Sequence, residues 1–236
     1  MTIAINYKAR PSLEVKKQSL TDKAYSAIKA EINAGHIAPG KFIDLTEIED
    51  QLRISRTPVR EAMLRLQLEK IVEIVPKRGI QILPMTATSL LEYFDVITGL
   101  ELQAIVNICR RKLTRTDIMP VLYALSSFEN ALRGNDGEAW TLAEENFHRG
   151  LFILNGNKKL MEAGLSYRDI VQRAHFVVLG YLSTEDYKRC LRNYNELKAV
   201  LINNDEHMAR EKLLAHWNWQ RQVIADVLAT RGIEEI

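Results

Sequence analysis

The segment at residues 55–66 constrains the fold most, because it has the pattern of a helix that reads DNA. Ser55 is a residue type that caps helix N-termini, and Pro58 suits the first turn, where its missing N–H needs no partner. Three apolar residues fall at helical spacing on one face: Val59, Met63 and Leu66. Three polar residues project from the opposite face, near the N-terminal end: Arg56, Thr57 and Arg60.

This N-terminal end suits contact with bases. A helix that enters the major groove presents that end to the base edges, and arginine can bind the O6 and N7 atoms of guanine together. The alternative for residues 55–66 alone is an amphipathic surface helix with solvated arginines.

The neighbouring segments favour a winged helix-turn-helix. Residues 43–52 have the apolar spacing of a second helix, and a short connection joins it to the first. Upstream, residues 20–35 predict a third helix that ends at a glycine. Downstream, two runs rich in β-branched residues at 72–75 and 80–83 flank a turn, which predicts a β-hairpin wing. We expect three residues of this turn to contact phosphate or the minor groove: Lys77, Arg78 and Gly79.

Three motifs of this region resemble the signature of the GntR superfamily of bacterial transcription regulators. They are AGHIAPG at 34–40, SRTPVREA at 55–62 and KRG at 77–79, and the resemblance covers about residues 19–85. The resemblance implies base or phosphate contacts from three residues, with support from Ser55 and the wing: Arg56, Thr57 and Arg60.

Two positions depart from the family pattern. Arg53 and Lys70 stand where the family usually has glycine, in the turn of the helix-turn-helix and at the end of the recognition helix. Glycine relieves the strain of a positive φ, so we expect either a cost of up to about 1 kcal/mol at each site or a slightly different turn.

Length and charge indicate two domains. At 236 residues with 47% apolar content, the chain can bury one small and one medium core. Residues 1–85 contain 14 basic and 10 acidic residues, whereas residues 86–236 contain 18 and 20, so only the first part is net positive. This asymmetry suits nucleic acid on one side. We predict a flexible arm over 1–18, a DNA-binding domain over 19–85, and an effector-binding and dimerisation domain over 86–236.

Cysteine usage and hydropathy suggest the compartment. Cys109 and Cys190 lie far apart in helical patterns, which indicates free thiols in a reducing environment. No apolar run approaches the roughly 18 residues of a membrane span, and no signal peptide is apparent. We therefore expect a cytoplasmic protein with no membrane partner.

The second half of the chain has a continuous helical pattern, with no strand pattern of any length. This predicts an all-α bundle of six or seven helices. The fold class is therefore mainly α: an N-terminal winged helix-turn-helix, with three helices plus a β-hairpin wing, followed by the bundle. The apolar spacing places helices at residues 90–113, 114–133, 138–154, 160–182, 184–203 and 206–230.

A candidate metal site lies in this helical half. Glu144 and His148 are four residues apart, so they share a helix face and can reach one ion. Several positions resemble the FCD ligand-binding domain of the FadR-like branch of the superfamily, over residues 86–230: Phe147, the break at 155–157, Asp205, Ala209 and His216.

The resemblance implies a divalent metal held by a carboxylate and three histidines. Glu144, His148 and His216 carry over, but Tyr194 stands where the remaining histidine is expected. A neutral phenol is a poor ligand for zinc or nickel. Two interpretations stay open: one divalent ion per chain on three protein ligands plus an open position, or a metal-free pocket in which the histidines only pack.

The resemblance also bears on the effector. The family often has an arginine four residues before a glutamate in the first long helix of this domain; with Glu101 as that glutamate, the position is Ile97. We therefore expect a less acidic effector, or an arginine recruited from the fourth helix, although Arg173 can also be a surface residue. The candidate effector-binding residues are Tyr194, Asn195, Arg173 and His175.

The two halves predict a bacterial transcriptional regulator and not an enzyme. A single winged helix buries too little surface for tight specific binding, so we expect a homodimer on a palindromic double-stranded operator. A small metabolite in the helical domain, for instance a carboxylate on the metal, would modulate a repressor or, less often, an activator. The alternatives are an acyl-CoA-responsive regulator with a metal-free pocket, a metal-dependent enzyme using Glu144 or Tyr194 as acid or base, and a DNA-architecture protein without effector.

Overall fold

The structure is a computed structural model, and it describes residues 19–33, 36–37, 40–76, 78–179 and 181–236, without the side chains of 173–177 and 179. Several predictions lie outside the described residues and side chains: the arm at 1–18, the end of the first helix at Gly35, Lys77, and the side chains of Arg173 and His175. The chain divides into two compact units, Met1–Thr86 with Glu235–Ile236, and Ala87–Glu234.

The first unit is a winged helix-turn-helix, as predicted. Its three strands form an antiparallel sheet in the order β1-β3-β2, in which Val72 pairs with Ile82 and Val75 with Gly79. The elements are α1 (Leu20–Asn33), β1 (Phe42–Ile43), α2 (Leu45–Leu52), α3 (Arg56–Leu68), β2 (Val72–Val75) and β3 (Gly79–Ile82).

The predicted helix over 43–52 is wrong at its start. Phe42 and Ile43 pair with β3 as a third strand, and the helix begins only at Leu45. The reason is local, because Asp44 accepts a hydrogen bond from the backbone N–H of Thr46 at 2.8 Å and caps the helix, so that its first residue lies two residues after the predicted start.

One hydrophobic core unites these elements. It takes residues from α1, α2, α3 and all three strands. Val59, Met63 and Leu66 of α3 are completely buried in it. This fixes the rotation of α3 about its axis, so the opposite face, with its arginines, is turned to solvent. Residues of α1 in this core include Ala24, Ile28 and Ile32.

The chain keeps left-handed backbone at the two positions where glycine was expected. Arg53 has φ 53° and Lys70 has φ 56°, so no alternative turn replaces either. At the first site the residue ends α2, and its backbone N–H reaches the Glu49 carbonyl. A side chain with a Cβ costs about 1 kcal/mol in this conformation relative to glycine.

The second unit is an all-α bundle, as predicted. Six helices lie in its described part: α4 (Ala87–Arg111), α5 (Met119–Gly134), α6 (Gly137–Leu154), α7 (Lys158–Leu179), α8 (Thr184–Asn203) and α9 (Glu206–Arg231). The long helix α4 packs against α6, α7 and α9, so it forms one wall of the interior. Among the described residues, no helix combines the length and apolar character needed to cross a bilayer.

Side-chain caps set where these helices begin. Ser183 and Asp186 form a reciprocal capping box at α8, and Asp136 and Asp205 accept backbone N–H groups at the starts of α6 and α9. The break predicted at 155–157 separates α6 from α7. These caps fix the residues at which α6, α8 and α9 begin.

A close contact between α6 and α7 provides a test of the packing. A Cβ added at Gly164 would lie 2.1 Å from the ring of Phe152, which is completely buried. Because the ring has no solvent to move into, we expect Gly164→Ala to lower the free energy of unfolding by about 1–3 kcal/mol, as overpacked cores do. Denaturant titration followed by circular dichroism measures this.

Gly99→Ala is the matched control. Gly99 lies within α4, and a Cβ there would meet no heavy atom within 4 Å. Alanine is the better helix former, so this change is expected to raise stability by up to about 1 kcal/mol. Equal effects of the two substitutions would show that the α6–α7 contact is not as close as described.

Candidate nucleic-acid interface and metal centre

The N-terminal end of α3 presents the predicted DNA-contacting side chains to solvent. Arg56, Thr57 and Arg60 are all exposed. The Arg56 side chain is 74% exposed and lies 3.9 Å from Glu49, whereas Arg60 makes no ion pair or hydrogen bond among the described residues. Ser55 occupies the N-cap position with extended backbone, but its side chain makes no capping hydrogen bond. The helix end and two arginines are therefore accessible together.

Other charged residues of this unit are used to fix α1 against α3. Arg65 forms an ion pair with Asp22 at 2.8 Å, and its guanidinium lies 4.1 Å from the centre of the Tyr25 ring. Lys29 is largely buried and pairs with Glu69 at 2.7 Å. Arg65 and Lys29 therefore stabilise the fold, whereas Arg56 and Arg60 have no such role.

The wing tip also supplies a basic group. Arg78 is exposed, and its guanidinium lies 4.6 Å from the centre of the Phe42 ring. Gly79 has φ 106°, and a Cβ there would lie 3.1 Å from the Ile43 carbonyl oxygen, so this position requires glycine. The positive φ and the close strand contact explain why glycine ends the turn that carries Arg78.

The predicted metal ligands come together in the interior of the second unit. Glu144 and His148 of α6 and His216 of α9 are buried, with ligand atoms all within 4.8 Å of one another. Two ligands of one zinc or nickel ion lie about 3–3.5 Å apart, because each metal–ligand bond is about 2.0–2.2 Å. Closing the site around one ion therefore requires these ligand atoms to move together by up to about 1–2 Å. A carboxylate with two imidazoles is a donor set that these metals accept, so the residues fit such an ion.

Tyr194 of α8 points into this triad. Its hydroxyl lies 2.9 Å from Nε2 of His148 and donates a hydrogen bond to Oε1 of Glu144 at 3.1 Å. Burial, reinforced by the charge of Glu144, raises the pKa of Tyr194 well above its usual value of 10. The side chain is therefore a neutral phenol that connects two of the three candidate ligands.

Glu101 of α4 orients His148 from the other side. The Nδ1 atom of His148 lies 2.8 Å from the Glu101 carboxylate, which also accepts a hydrogen bond from the indole N–H of Trp217 at 2.8 Å. Burial raises the pKa of Glu101 to about 8. A hydrogen bond to one nitrogen of this imidazole orients the other nitrogen toward Glu144 and His216, as carboxylate–histidine pairs do at metal sites.

Two further residues, which were not predicted from the sequence, contribute to the surroundings of the triad. Gln220 donates a hydrogen bond to Oε1 of Glu144. It lies four residues after His216 on α9, and this helical spacing could have identified it. Arg168 is completely buried on α7 and pairs with Glu145 at 2.9 Å. Nothing in the spacing of the α7 sequence distinguishes Arg168 from a surface arginine.

The buried ion pair balances the acidic interior. Burial acts to raise the pKa of Glu145, but Arg168 and Arg149 outweigh it and hold the pKa below its usual value. Glu101 and Glu144 also lie within the electrostatic reach of Arg168. This guanidinium is therefore the main positive charge that compensates the acidic residues around the triad.

The predicted effector-binding residues are not all brought to the triad. Tyr194 is there, but its neighbour Asn195 is only half-buried and lies about 100° further around α8. Asn193 instead approaches Nδ1 of His216, at 3.4 Å. The orientation of α8 that directs Tyr194 inward thus brings Asn193, and not Asn195, close to the triad.

A cleft opens next to the triad, between α6, α8 and α9. Its interior has a volume of only about 30 Å³, enough for one or two water molecules, and Glu144 and Gln220 contribute to its wall. Three aromatic side chains line it: Trp140, Tyr187 and Trp219.

Comparisons with protein families match both units. The model described as "Bacterial regulatory proteins, gntR family" matches residues 20–82, and the FCD domain model matches residues 92–218.

Individual relatives agree with these family matches. An uncharacterized HTH-type transcriptional regulator from Agrobacterium vitis, encoded in the TAR-I ttuE-ttuC' intergenic region, is 33% identical over 155 residues, covering 63% of this chain and 91% of the relative. The gluconate operon transcriptional repressor of Bacillus subtilis is 25% identical, covering 92% of this chain and 90% of the relative. The structure of E. coli McbR/YncC has a TM-score of 0.80 at 21% identity, covers 89% of this chain and 98% of its own, and supports the fold.

Proposed function

Since this chain belongs to the gntR family of bacterial regulatory proteins and carries an FCD domain, we propose that it is a metabolite-responsive repressor. The family makes it a transcriptional regulator and not an enzyme. Repression is supported by relatives that are named repressors, among them the gluconate operon repressor of Bacillus subtilis. We propose that it binds a palindromic operator as a homodimer.

The observation that carries the DNA-binding proposal is the exposed end of α3. The core buries Val59, Met63 and Leu66 and so fixes the rotation of α3 about its axis. This leaves Arg56 and Arg60 on the solvent side of the helix. One winged helix covers about 600–1,000 Å² at most, so two copies on a palindrome are needed for tight binding. The exposed Arg78 at the wing tip supports a flanking contact to the backbone.

We propose that the helical unit binds one divalent ion, zinc or nickel, and a small effector. Glu144, His148 and His216 would hold the ion, with Glu101 fixing the orientation of His148. Such an ion supplies positive charge and an open coordination position to an effector oxygen or nitrogen. A coupling of about 1–3 kcal/mol between the effector and operator sites changes occupancy by up to two orders of magnitude.

The DNA-binding proposal is tested by selecting bound duplexes from a random-sequence pool with the full chain. We expect palindromes whose half-sites are spaced by about one helical turn, or a multiple of it. Sedimentation of the protein–DNA complex should give two chains per duplex. Enrichment of single half-sites by a monomer would contradict the dimer, and the absence of any enriched sequence would contradict specific DNA recognition.

Elemental analysis of protein purified without a histidine tag tests the metal. We expect about one zinc or nickel ion per chain in the original protein and none in a variant with His148→Ala and His216→Ala, because two of three ligands are lost. Circular dichroism of the variant checks that it is folded. Equal metal content in the two proteins, or no ion in either, would contradict the proposed site.

A further inference from the structure

The acidic side chain of Glu49 lies where α2 meets the exposed end of α3. Only 21% of this side chain is exposed, whereas that of Arg56, the first residue of α3, is 74% exposed. The Oε1 atom of Glu49 is buried and has no hydrogen-bond partner among the described residues, and it lies 3.9 Å from Nε of Arg56. A buried carboxylate oxygen without a donor lowers stability, so folding alone does not account for Glu49 at this position.

The turn of the helix-turn-helix fixes Glu49 relative to α3. The Glu49 carbonyl accepts the backbone N–H of Arg53, which has φ 53°, and that of Ile54 at 3.2 Å. Ile54 belongs to the hydrophobic core and directly precedes Ser55, the N-cap residue of α3. The backbone of Glu49 and the start of α3 are therefore held in one arrangement, and only side-chain rotation of Arg56 changes its distance to the carboxylate.

The two exposed arginines of α3 differ in their surroundings. Glu49 is the only ion-pair partner of Arg56 among the described residues. Hydrogen bonds from Thr46 hold the pKa of Asp44, at the N-cap of α2, below its usual value, and the charge of Arg56 adds to this effect. Arg60, one helical turn later, makes no ion pair or hydrogen bond among the described residues. The acidic groups of α2 thus act on Arg56 alone.

The contact at Nε leaves the other end of the guanidinium free. Its terminal Nη1 and Nη2 atoms are the pair that binds the O6 and N7 atoms of guanine together. At 3.9 Å the contact is longer than the about 2.7–2.9 Å of a charge-assisted hydrogen bond. In the free protein water competes for the exposed guanidinium, whereas a DNA surface displaces that water and strengthens the attraction.

We propose that Glu49 is a positioning residue for base recognition. It holds the Arg56 guanidinium at Nε, so that the two terminal nitrogens face one guanine in each half-site, and it contacts no base itself. An arginine that is restrained before binding loses less rotational freedom when it meets the base, and specificity increases because only a correctly placed guanine uses this restraint. The inference rests on the proposed function, since it names a further residue of the same DNA-binding surface.

Selection of duplexes from a random-sequence pool, repeated with Glu49→Ala and with Arg56→Ala, tests this role. Both variants should relax the preference for guanine at the same half-site positions and at no others. Fluorescence anisotropy should show that Glu49→Ala lowers the ratio of operator to scrambled-duplex affinity by about fivefold or more, because two arginines per dimer lose their restraint.

Two further variants separate positioning from a structural effect. Glu49→Gln keeps an oxygen that accepts a hydrogen bond, so it should retain part of the affinity ratio. Combining Glu49→Ala with Arg56→Ala should change the ratio by less than about twofold relative to Arg56→Ala alone, because Glu49 acts only through Arg56. Circular dichroism of each variant checks that it is folded.

Asp50→Ala is the matched control. Asp50 follows Glu49 on α2, is exposed, and makes no ion pair or hydrogen bond among the described residues. This change removes the same charge without touching Arg56. Any gain in general attraction to DNA should therefore appear equally on both duplexes, and the affinity ratio should stay unchanged.

Three results with Glu49→Ala would overturn the inference. A ratio within about twofold of the original would leave Glu49 without a role in recognition, and an equal rise in affinity for both duplexes would show that it only repels phosphate. Relaxed preference at positions that Arg56→Ala does not affect would assign Glu49 a base of its own. The original chain separates these results from the proposed function: if it selects no sequence, the regulator is refuted, whereas selection of a palindrome with any of the three results refutes only the role of Glu49.

Discussion

Arg60→Ala is expected to lower operator affinity by about 30-fold to 10⁴-fold at fixed salt. Arg60 is exposed near the N-terminal end of α3, which we propose faces the bases, and it makes no ion pair or hydrogen bond among the described residues, so its guanidinium is available for guanine. One bidentate arginine–guanine contact is worth about 1–3 kcal/mol of discrimination, and a dimer has two of them. Fluorescence anisotropy on the selected duplex, with a scrambled duplex alongside, measures both affinity and specificity.

Arg65→Ala is the matched control on the same helix. Arg65 is engaged with Asp22 and stacked on Tyr25, so its loss should lower the stability of the first unit and leave the preference for operator over scrambled DNA unchanged.

Salt dependence of the affinity distinguishes a base contact from a phosphate contact at Arg60. Loss of a phosphate contact weakens binding to all sequences and reduces the salt slope by about 1 for each contact, and therefore by about 2 in a dimer. Retention of operator affinity within about threefold in Arg60→Ala would show that the recognition helix is assigned wrongly.

The fold could be predicted because its elements are local. The apolar spacing of Val59, Met63 and Leu66 predicts which face of α3 is buried, and the structure buries these three completely. The two-residue strand β1 was missed because Phe42 and Ile43 carry no alternation long enough to be recognised. Its pairing is set by β3, almost 40 residues later in the chain, and no local pattern contains that information.

The candidate site was predictable only as far as residue type and helical spacing extend. Glu144 and His148 share one helix, so their convergence follows from sequence. The contact between Glu101 and His148 joins α4 to α6 across 47 residues, and it depends on how the helices pack. Arg168 is the clearest limit, because a buried arginine in an amphipathic helix looks like any solvated one until its partner Glu145 is known.

Tyr194→His is expected to raise the affinity for zinc or nickel by about 100-fold or more. In the original chain the phenol of Tyr194 is hydrogen-bonded to both His148 and Glu144, so binding an ion disrupts those contacts without gaining a ligand. The imidazole supplies a fourth ligand instead. A complete four-ligand zinc site is worth roughly 10–16 kcal/mol, or about 3 kcal/mol per ligand. Competition with a chromophoric chelator at fixed pH measures the change.

Tyr194→Phe separates the added ligand from the lost hydroxyl. The Tyr194 ring stacks on Phe128 with centroids 4.7 Å apart, and phenylalanine keeps this packing while removing both hydrogen bonds. We expect this variant to change metal affinity by less than about tenfold, because outer contacts of ligands contribute at most 10–100-fold and no ligand is gained. If Tyr194→His bound metal no more tightly than Tyr194→Phe, residue 194 would not reach the ion, and the prediction of a fourth ligand at this position would be wrong.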